Sequence, residues 1–385
     1  MFVLKNINRL YHEIIERKDQ RRDLHLQQLV VHDPKRKAGI GNVRLSEEQK
    51  KEIDDFYLTN WGSKIDYTCH LTYYAYSGHF DKAFFPEQLY IPEFERYMNV
   101  YARYNEVLSD KNIFPYVAKG LGISTPEVIY SCSKGYIIDS SQNKCTEEMM
   151  VASLAREKEF FIKASVDSCG GSGCQFYSAK APGTKSEEDN VRSVIRSFGS
   201  DYVVQRCIQC HPCIKSLHPQ SVNSIRVMTY RWRGEILTLP VVVRIGVGSM
   251  RVDNATAGGI FVGISDDGIM LPLAMNKYGK HYYEHPDSGV KFDGYTIDFI
   301  PQILTEAKRL HGAIAQVGVV NWDFTVGESG EIILIEGNMS SGGIWIFQMA
   351  HGVAPFGDKT AEILQWTRKM KNLSLHQRIN HTFGS

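Results

Sequence analysis

The chain has 385 residues, with 44 Lys and Arg against 43 Asp and Glu and a formal net charge of +1. That balance excludes a general nucleic-acid binder, which needs a basic excess or a basic face. Hydrophobic residues make up 43%, with 32 Gly and 13 Pro, which excludes disordered, collagenous and fibrous classes; the length suits roughly two to three domain-sized units.

The chain opens on an amphipathic, charged stretch, Met1-Phe-Val-Leu-Lys-Asn-Ile-Asn-Arg-Leu, without the apolar core of a signal peptide. A membrane span needs about 18 consecutive apolar residues. None occurs, and the richest stretch, 237–247, is broken by Arg244. Eight Cys in a chain this long do not make a secreted disulfide framework, so a reducing cytoplasm is the expected compartment.

Residues 1–109 are expected to be mainly helical. Ser46 followed by Glu47 and Glu48 is a helix-start signal. Aromatic residues crowd the stretch 67–104, among them Tyr73, Tyr76, Phe84, Phe85, Tyr90, Phe94, Tyr97 and Tyr101. They predict an aromatic core or docking face; the alternative is one wall of a sugar or acceptor pocket. From Asp110 the character changes. A short helix ended by Gly is followed by apolar strand patterns at 127–130, 160–164, 202–205, 224–230, 237–245, 322–326 and 332–335. Helices are expected at 188–198, 300–316 and 359–370, a loop at 178–189, and poor order over the last ten or so residues. The whole reads as α+β with mainly antiparallel sheets. Its expected parts are a helical region (1–109), two α+β units (110–205 and 206–373) and a tail (374–385).

The polar residues set into these strands carry the chemistry. Asn321-Trp-Asp-Phe-Thr-Val, a Gly-containing turn and Ile332-Ile-Leu-Ile-Glu-Gly-Asn form a predicted hairpin. Strand period two puts Glu336 and Asn338 on one face, with Asp323 on the facing strand. Two carboxylates and an amide oxygen make a hard-oxygen set suited to magnesium with nucleotide phosphates. Lys163 ends the apolar run 160–162, just before the glycine-rich segment Ser168, Gly170, Gly171, Ser172 and Gly173. Backbone N–H groups there can approach phosphates closely. The segment lacks a P-loop ending, and there is no dinucleotide-binding glycine fingerprint. Arg226 lies in a strand pattern and Arg244 within an apolar one; a buried Arg needs an anionic partner, either a structural acid or a bound phosphate or carboxylate. Asp253, Asn254 and Thr256 precede Gly258 and Gly259 on a polar loop.

The order of these elements resembles the ATP-grasp superfamily from about Asp110 to Gly343, and most closely its sugar-transfer-associated family. The residues that carry the closer resemblance are Val222-Asn-Ser-Ile-Arg, Val252-Asp-Asn, Gly258-Gly, His285-Pro-x-x-Gly and Ile335-Glu-Gly-Asn. The resemblance implies an ATP-grasp fold, with two α+β subdomains gripping ATP. It implies that Lys111 and Lys163 bind phosphates and that residues 168–173 form a lid over them. Gln205 would meet adenine together with the backbone near Cys207 and Ile208. Arg226 and Arg244, with Asn254 nearby, would serve the γ-phosphate and the oxyanion. Asp323, Glu336 and Asn338 would hold magnesium, two ions being expected. The implied activity is ADP-forming carboxylate–amine ligation through an acyl phosphate, on a small-molecule or glycan-precursor acceptor with an amine or carboxylate co-substrate. A kinase acting on a sugar-like hydroxyl and a nucleotide-binding scaffold are the alternatives. Gln205 departs from the Glu often found at its position, and residues 1–109 do not resemble the usual ligase N-terminal domain.

Two further motifs compete for attention. Cys207, Cys210 and Cys213, with His211, have spacing compatible with zinc or an iron–sulfur cluster; reduced, partly buried thiols are the plainer reading. His285 before Pro286 reads as a turn, with substrate contact as the alternative.

Overall fold

The computed structural model describes residues 2–99, 108–166, 173–381 and 383–384. Two antiparallel sheets organise the chain. The smaller contains β1 (Val128–Ser133), β2 (Tyr136–Asp139), β3 (Lys144–Cys145), β4 (Glu159–Ala164), β5 (Cys174–Ser178) and β6 (Tyr202–Gln205), in the order β3-β2-β1-β6-β4-β5. The larger runs β12-β11-β10-β9-β7-β13-β14, with β8 paired beside β7. Its strands are β7 (Ser224–Trp232), β8 (Glu235–Thr238), β9 (Val241–Ile245), β10 (Ile260–Ile264), β11 (Met270–Met275), β12 (His281–Tyr282), β13 (Val319–Val326) and β14 (Ile332–Asn338). The expected single strand over 237–245 is two, because the ladder is interrupted at Pro240, and Pro has no N–H to donate.

Four helices lead the chain: α1 (Phe2–Val31), α2 (Pro34–Ile40), α3 (Glu47–Asn60) and α4 (Thr68–Ser77). Ser46 caps α3 through a reciprocal bond pair with Gln49. A helical run over 87–98 follows, π-wound at Tyr90–Glu95. Later come α5 (Phe114–Gly120), α6 (Glu147–Leu154), α7 (Lys185–Ser197), α8 (Ile300–Ala313), α9 (Trp345–His351), α10 (Thr360–Lys371) and α11 (Leu375–Ile379). Helix α7 begins at Lys185, earlier than expected, because Thr184 caps it. Poor order expected at the end of the chain gives way to α11. There Ser374 and Gln377 form a capping box, and the Arg378 guanidinium donates to the Met370 and Leu373 carbonyls.

Both faces of the larger sheet are covered, which explains why its strands read as continuous apolar runs. Val241, Val243, Ile245, Ile260 and Val262 pack on one side with Ile300, Ile303 and Leu310 of α8. Met228, Tyr230, Val242, Phe261 and Val319 face the other side. They share a core with Tyr73, Phe85, Tyr90, Phe94 and Tyr97 of the leading helices and with Phe347 and Ile363 of α9 and α10. The aromatic stretch is therefore core. Tyr101 lies outside the described residues. Asn99 ties the aromatic stretch to the sheet: its amide donates to the Val319 and Met339 carbonyls and accepts from the Gly318 and Val319 N–H groups, at 2.7–2.9 Å. On this same face, past the aromatic layer, strand alternation carries polar side chains instead: Arg226, Arg244, Asn321 and Asp323. The aromatic helices occupy one part of the face and leave the rest for a cleft.

Candidate functional site

Sheet register builds the centre of the cleft. Asp323 on β13 is paired with Arg226 on β7 and with Glu336 on β14, and Ser224 is paired with Arg244 of β9. Arg226 grips both carboxylate oxygens of Asp323, Nη2 to Oδ2 at 2.8 Å and Nε to Oδ1. Arg244 Nη2 lies 3.0 Å from Asp323 Oδ2, and its Nε and Nη2 donate to Ser224 Oγ at 2.9 and 2.7 Å. Burial alone would raise the Asp323 carboxyl, but the two guanidiniums outweigh it and hold the group at about 2. Burial opposes the charge on Arg244, yet Asp323, Asp253 and Glu336 raise its pKa above the ordinary value. The two arginines are thus oriented by a buried acid and present their remaining N–H groups to the cleft. Of the two alternatives for a buried Arg, the structural acid is present: Asp323 partners both guanidiniums.

Asn338 Nδ2 donates to Glu336 Oε1 at 3.0 Å, which leaves the amide carbonyl of Asn338 as an acceptor. Two carboxylates and one amide oxygen fit a hard divalent cation that also takes oxygens from a phosphate. Since both Asp323 oxygens are engaged by arginines, Glu336 and Asn338 are the freer donors of the set. Among the described residues, no group of three or more His, Cys, Asp or Glu is placed to hold a metal ion. Of the cysteine motif, Cys210 donates to the Val222 carbonyl at 3.2 Å, and Cys213 Sγ lies 3.1 Å from His211 Nδ1.

The facing wall comes from the smaller sheet. Lys163 near the end of β4 pairs with Cys174 of β5. Burial raises the Cys174 thiol, and Lys163, Glu336 and Lys111 all reach it electrostatically, so both walls converge there. Gln205 ends β6, is buried, and its Oε1 has no hydrogen-bond partner among the described residues. A buried acceptor without a donor is costly. It fits a ligand amino group, such as the exocyclic amine of adenine.

A cleft of about 370 Å³ brings together Lys111, Lys163, Gln205, Ile208, Arg226, Arg244, Asn254, Asp323, Glu336 and Asn338. Asn254 caps a short turn, its Oδ1 accepting from the Thr256 N–H at 3.1 Å. Cys207 instead lines an adjoining cavity of about 200 Å³ with Arg251. Gly173 has a positive φ of 71° and lies outside the cleft lining. Ser168, Gly170, Gly171 and Ser172 fall outside the described residues. His285 is structural, with Nε2 against the Gly246 carbonyl at 2.8 Å.

Three features escape the sequence reading. Arg251 lines the cleft and stacks on Phe176 of the opposite sheet, 4.4 Å from its ring centre; nothing in its spacing marks it. The segment Ser340-Ser-Gly-Gly before Trp345 also lines the cleft, and its doubled glycine was a usable signal. A Cβ on Gly342 would lie 2.0 Å from Asn321 Nδ2, so the close approach needs glycine. Glu95 holds this segment from beneath, accepting from the Ser341 and Gly342 N–H groups at 2.6 and 2.9 Å.

Burial pushes the Glu95 carboxyl up to about 7, against the pull of those two N–H groups. The folded chain keeps a proton that the unfolded chain releases near 4.5. This contribution to stability is full below about pH 4.5 and is lost as the pH rises through 7. Urea unfolding is expected to show a loss of about 2–3 kcal/mol from this group between pH 5 and 8. Glu95→Gln should remove that component; an identical pH slope in the variant would contradict it.

A family model described as sugar-transfer associated ATP-grasp matches residues 91–361. No curated protein matches the chain. Among solved structures, D-alanyl-alanine synthetase A from Vibrio cholerae O1 biovar eltor is 16% identical with a TM-score of 0.42, over 72% of this chain and 66% of that one. An ADP complex of PurK, an N5-carboxyaminoimidazole ribonucleotide synthetase, is 11% identical with a TM-score of 0.36, over 61% and 45%. An L-amino acid ligase from Bacillus licheniformis is 13% identical with a TM-score of 0.38, over 69% and 48%. The chain thus matches less than two thirds of the length of each of these structures.

Proposed function

Because the chain belongs to the sugar-transfer associated ATP-grasp family, we propose that the cleft binds ATP and that the protein is an ADP-forming carboxylate–amine ligase. One observation carries the reading. A buried, unpartnered Gln205 acceptor and the Lys163 ammonium on one sheet face Arg226, Arg244 and the Glu336–Asn338 pair on the other, across a single cleft.

In this reading Gln205 Oε1 accepts from the adenine amino group. Lys111 and Lys163 neutralise the inner phosphates. Glu336, Asn338 and Asp323 would hold magnesium, which supplies charge neutralisation on the phosphate oxygens when bound. Arg226 and Arg244, fixed by Asp323, direct N–H groups at the oxygens of the transferring phosphoryl group. An acceptor carboxylate attacks that group, giving an acyl phosphate and ADP. An amine then attacks the acyl carbon, and phosphate leaves. The protein contributes positioning and fixed charge, with no covalent intermediate on its own side chains. The acceptor is a small molecule or glycan precursor, in keeping with the family description.

Two measurements bear on this. Gln205→Leu removes the acceptor and is expected to weaken ATP binding by about tenfold, within the range of one buried hydrogen bond. ATP and purine riboside triphosphate, which lacks the amino group, should bind the variant equally; a preserved preference for ATP would contradict the role. The reaction class is tested by quantifying ADP and free phosphate with pooled acids and amines. Equimolar ADP and phosphate, dependent on both an acid and an amine, is the expected result. ADP without free phosphate would show phosphoryl transfer to a hydroxyl and overturn the ligase reading.

A further inference from the structure

Helix α1 carries a surface that the cleft does not use. Ile7, Leu10, Tyr11 and Ile14 are 58%, 62%, 58% and 58% exposed. Their spacing of three, four and seven puts them on one stripe of the helix. The next turns of that stripe are basic: Arg17 lies seven residues after Leu10, Lys18 after Tyr11 and Arg21 after Ile14. All three cations are exposed, and no ion pair to them occurs among the described residues.

The acids of the same helix are occupied elsewhere. Glu13 accepts from the Leu375 N–H. Glu16 pairs with Arg96 and Arg378, at 3.0 and 3.4 Å. Asp23 also binds Arg96, and Asp19 is paired with Arg22 at 3.1 Å. The helix is therefore largely sorted by charge: Glu13, Glu16 and Asp23 turn to the protein and Asp19 is neutralised by Arg22 of the same helix, while an apolar stripe continued by unpaired cations turns to the surroundings.

We infer that this face of α1 lies on an anionic membrane surface, with the apolar stripe set into the interface and Arg17, Lys18 and Arg21 against lipid phosphates. A second copy of the chain is the competing occupant. Exposed apolar residues resume at Leu24, Leu26, Leu29 and Val30, but Arg17, Lys18 and Arg21 interrupt the stripe, so it lacks the sustained heptads a helix–helix seam needs, and a parallel pairing would set Arg21 against Arg21. No helix among the described residues is long and apolar enough to cross a membrane, so the attachment is in-plane.

The test is vesicle sedimentation of the full chain. Vesicles of phosphatidylcholine alone are compared with equal parts phosphatidylcholine and phosphatidylglycerol. Pelleting is expected with the anionic vesicles and to fall as salt rises. Lys18→Glu with Arg21→Glu is expected to weaken it by about tenfold or more. Ile7→Ser with Ile14→Ser should abolish it while melting temperature is kept, since these side chains are exposed. Absence of pelleting by the folded parent chain would overturn the inference. So would equal pelleting on neutral vesicles, or a concentration-dependent dimer that Ile14→Ser dissolves.

Discussion

Asp323→Ala is expected to abolish turnover and to lower folding stability by about 3–5 kcal/mol, the cost of leaving buried charge without its partner. The reason is the geometry of the pair of arginines. Arg226 and Arg244 both bind this one buried carboxylate, and Arg244 is itself buried. Without Asp323, two guanidiniums face each other, with Asp253, 3.6 Å from Arg244, and the more distant Glu336 as the remaining acids near them. Their orientation toward the cleft goes with the pairing. Asp323→Asn, which keeps the shape and removes the charge, should fall between the two. Urea unfolding and product formation read both effects. A stable, active Asp323→Ala protein would contradict the account of the site.

The second large effect is expected at Lys163. Lys163→Met should weaken ATP binding by about 10- to 150-fold, corresponding to the loss of one charge-assisted hydrogen bond. Stability should stay within about 0.5 kcal/mol, because among the described residues no ion pair depends on this ammonium. The two variants are thus distinguishable. Asp323→Ala damages the fold and the chemistry together, whereas Lys163→Met damages nucleotide binding alone. Calorimetric titration of ATP with magnesium reads the second, and an unchanged dissociation constant would remove Lys163 from the phosphate site.

Much of the site was legible because strand alternation is a local property. Period two in 332–338 was enough to group Glu336 with Asn338, and an Arg inside the apolar run 241–245 was enough to demand an anion. What could not be read was the order of the sheet. Asp323 meets Arg226 across 97 positions of sequence, and only the order β9-β7-β13-β14 brings them together. The identity of the anion followed from topology, so the sharing of Asp323 by both arginines was invisible. Arg251 was missed because its exposed loop has no periodicity and its partner, Phe176, belongs to the other sheet. Glu95 was missed for the opposite reason. It sits in an aromatic stretch whose pattern predicts core, and it is indeed buried there, but its two acceptor oxygens serve a segment about 246 residues away in sequence.

The aromatic stretch also shows how a pattern can be right about burial and silent about place. Tyr73, Phe85, Tyr90 and Phe94 pack as a layer on the larger sheet, and none of them lines the cleft. The cleft is lined instead by residues nearer the centre, among them Asn254, Ser340 and Trp345.

The most direct test is a crystal structure with a non-hydrolysable ATP analogue and magnesium. The account predicts adenine against Gln205 with its amino group on Oε1, phosphates at Lys111 and Lys163, and the metal at Glu336 and Asn338. Nucleotide bound outside this cleft, or Gln205 Oε1 satisfied by a protein N–H with adenine elsewhere, would contradict it.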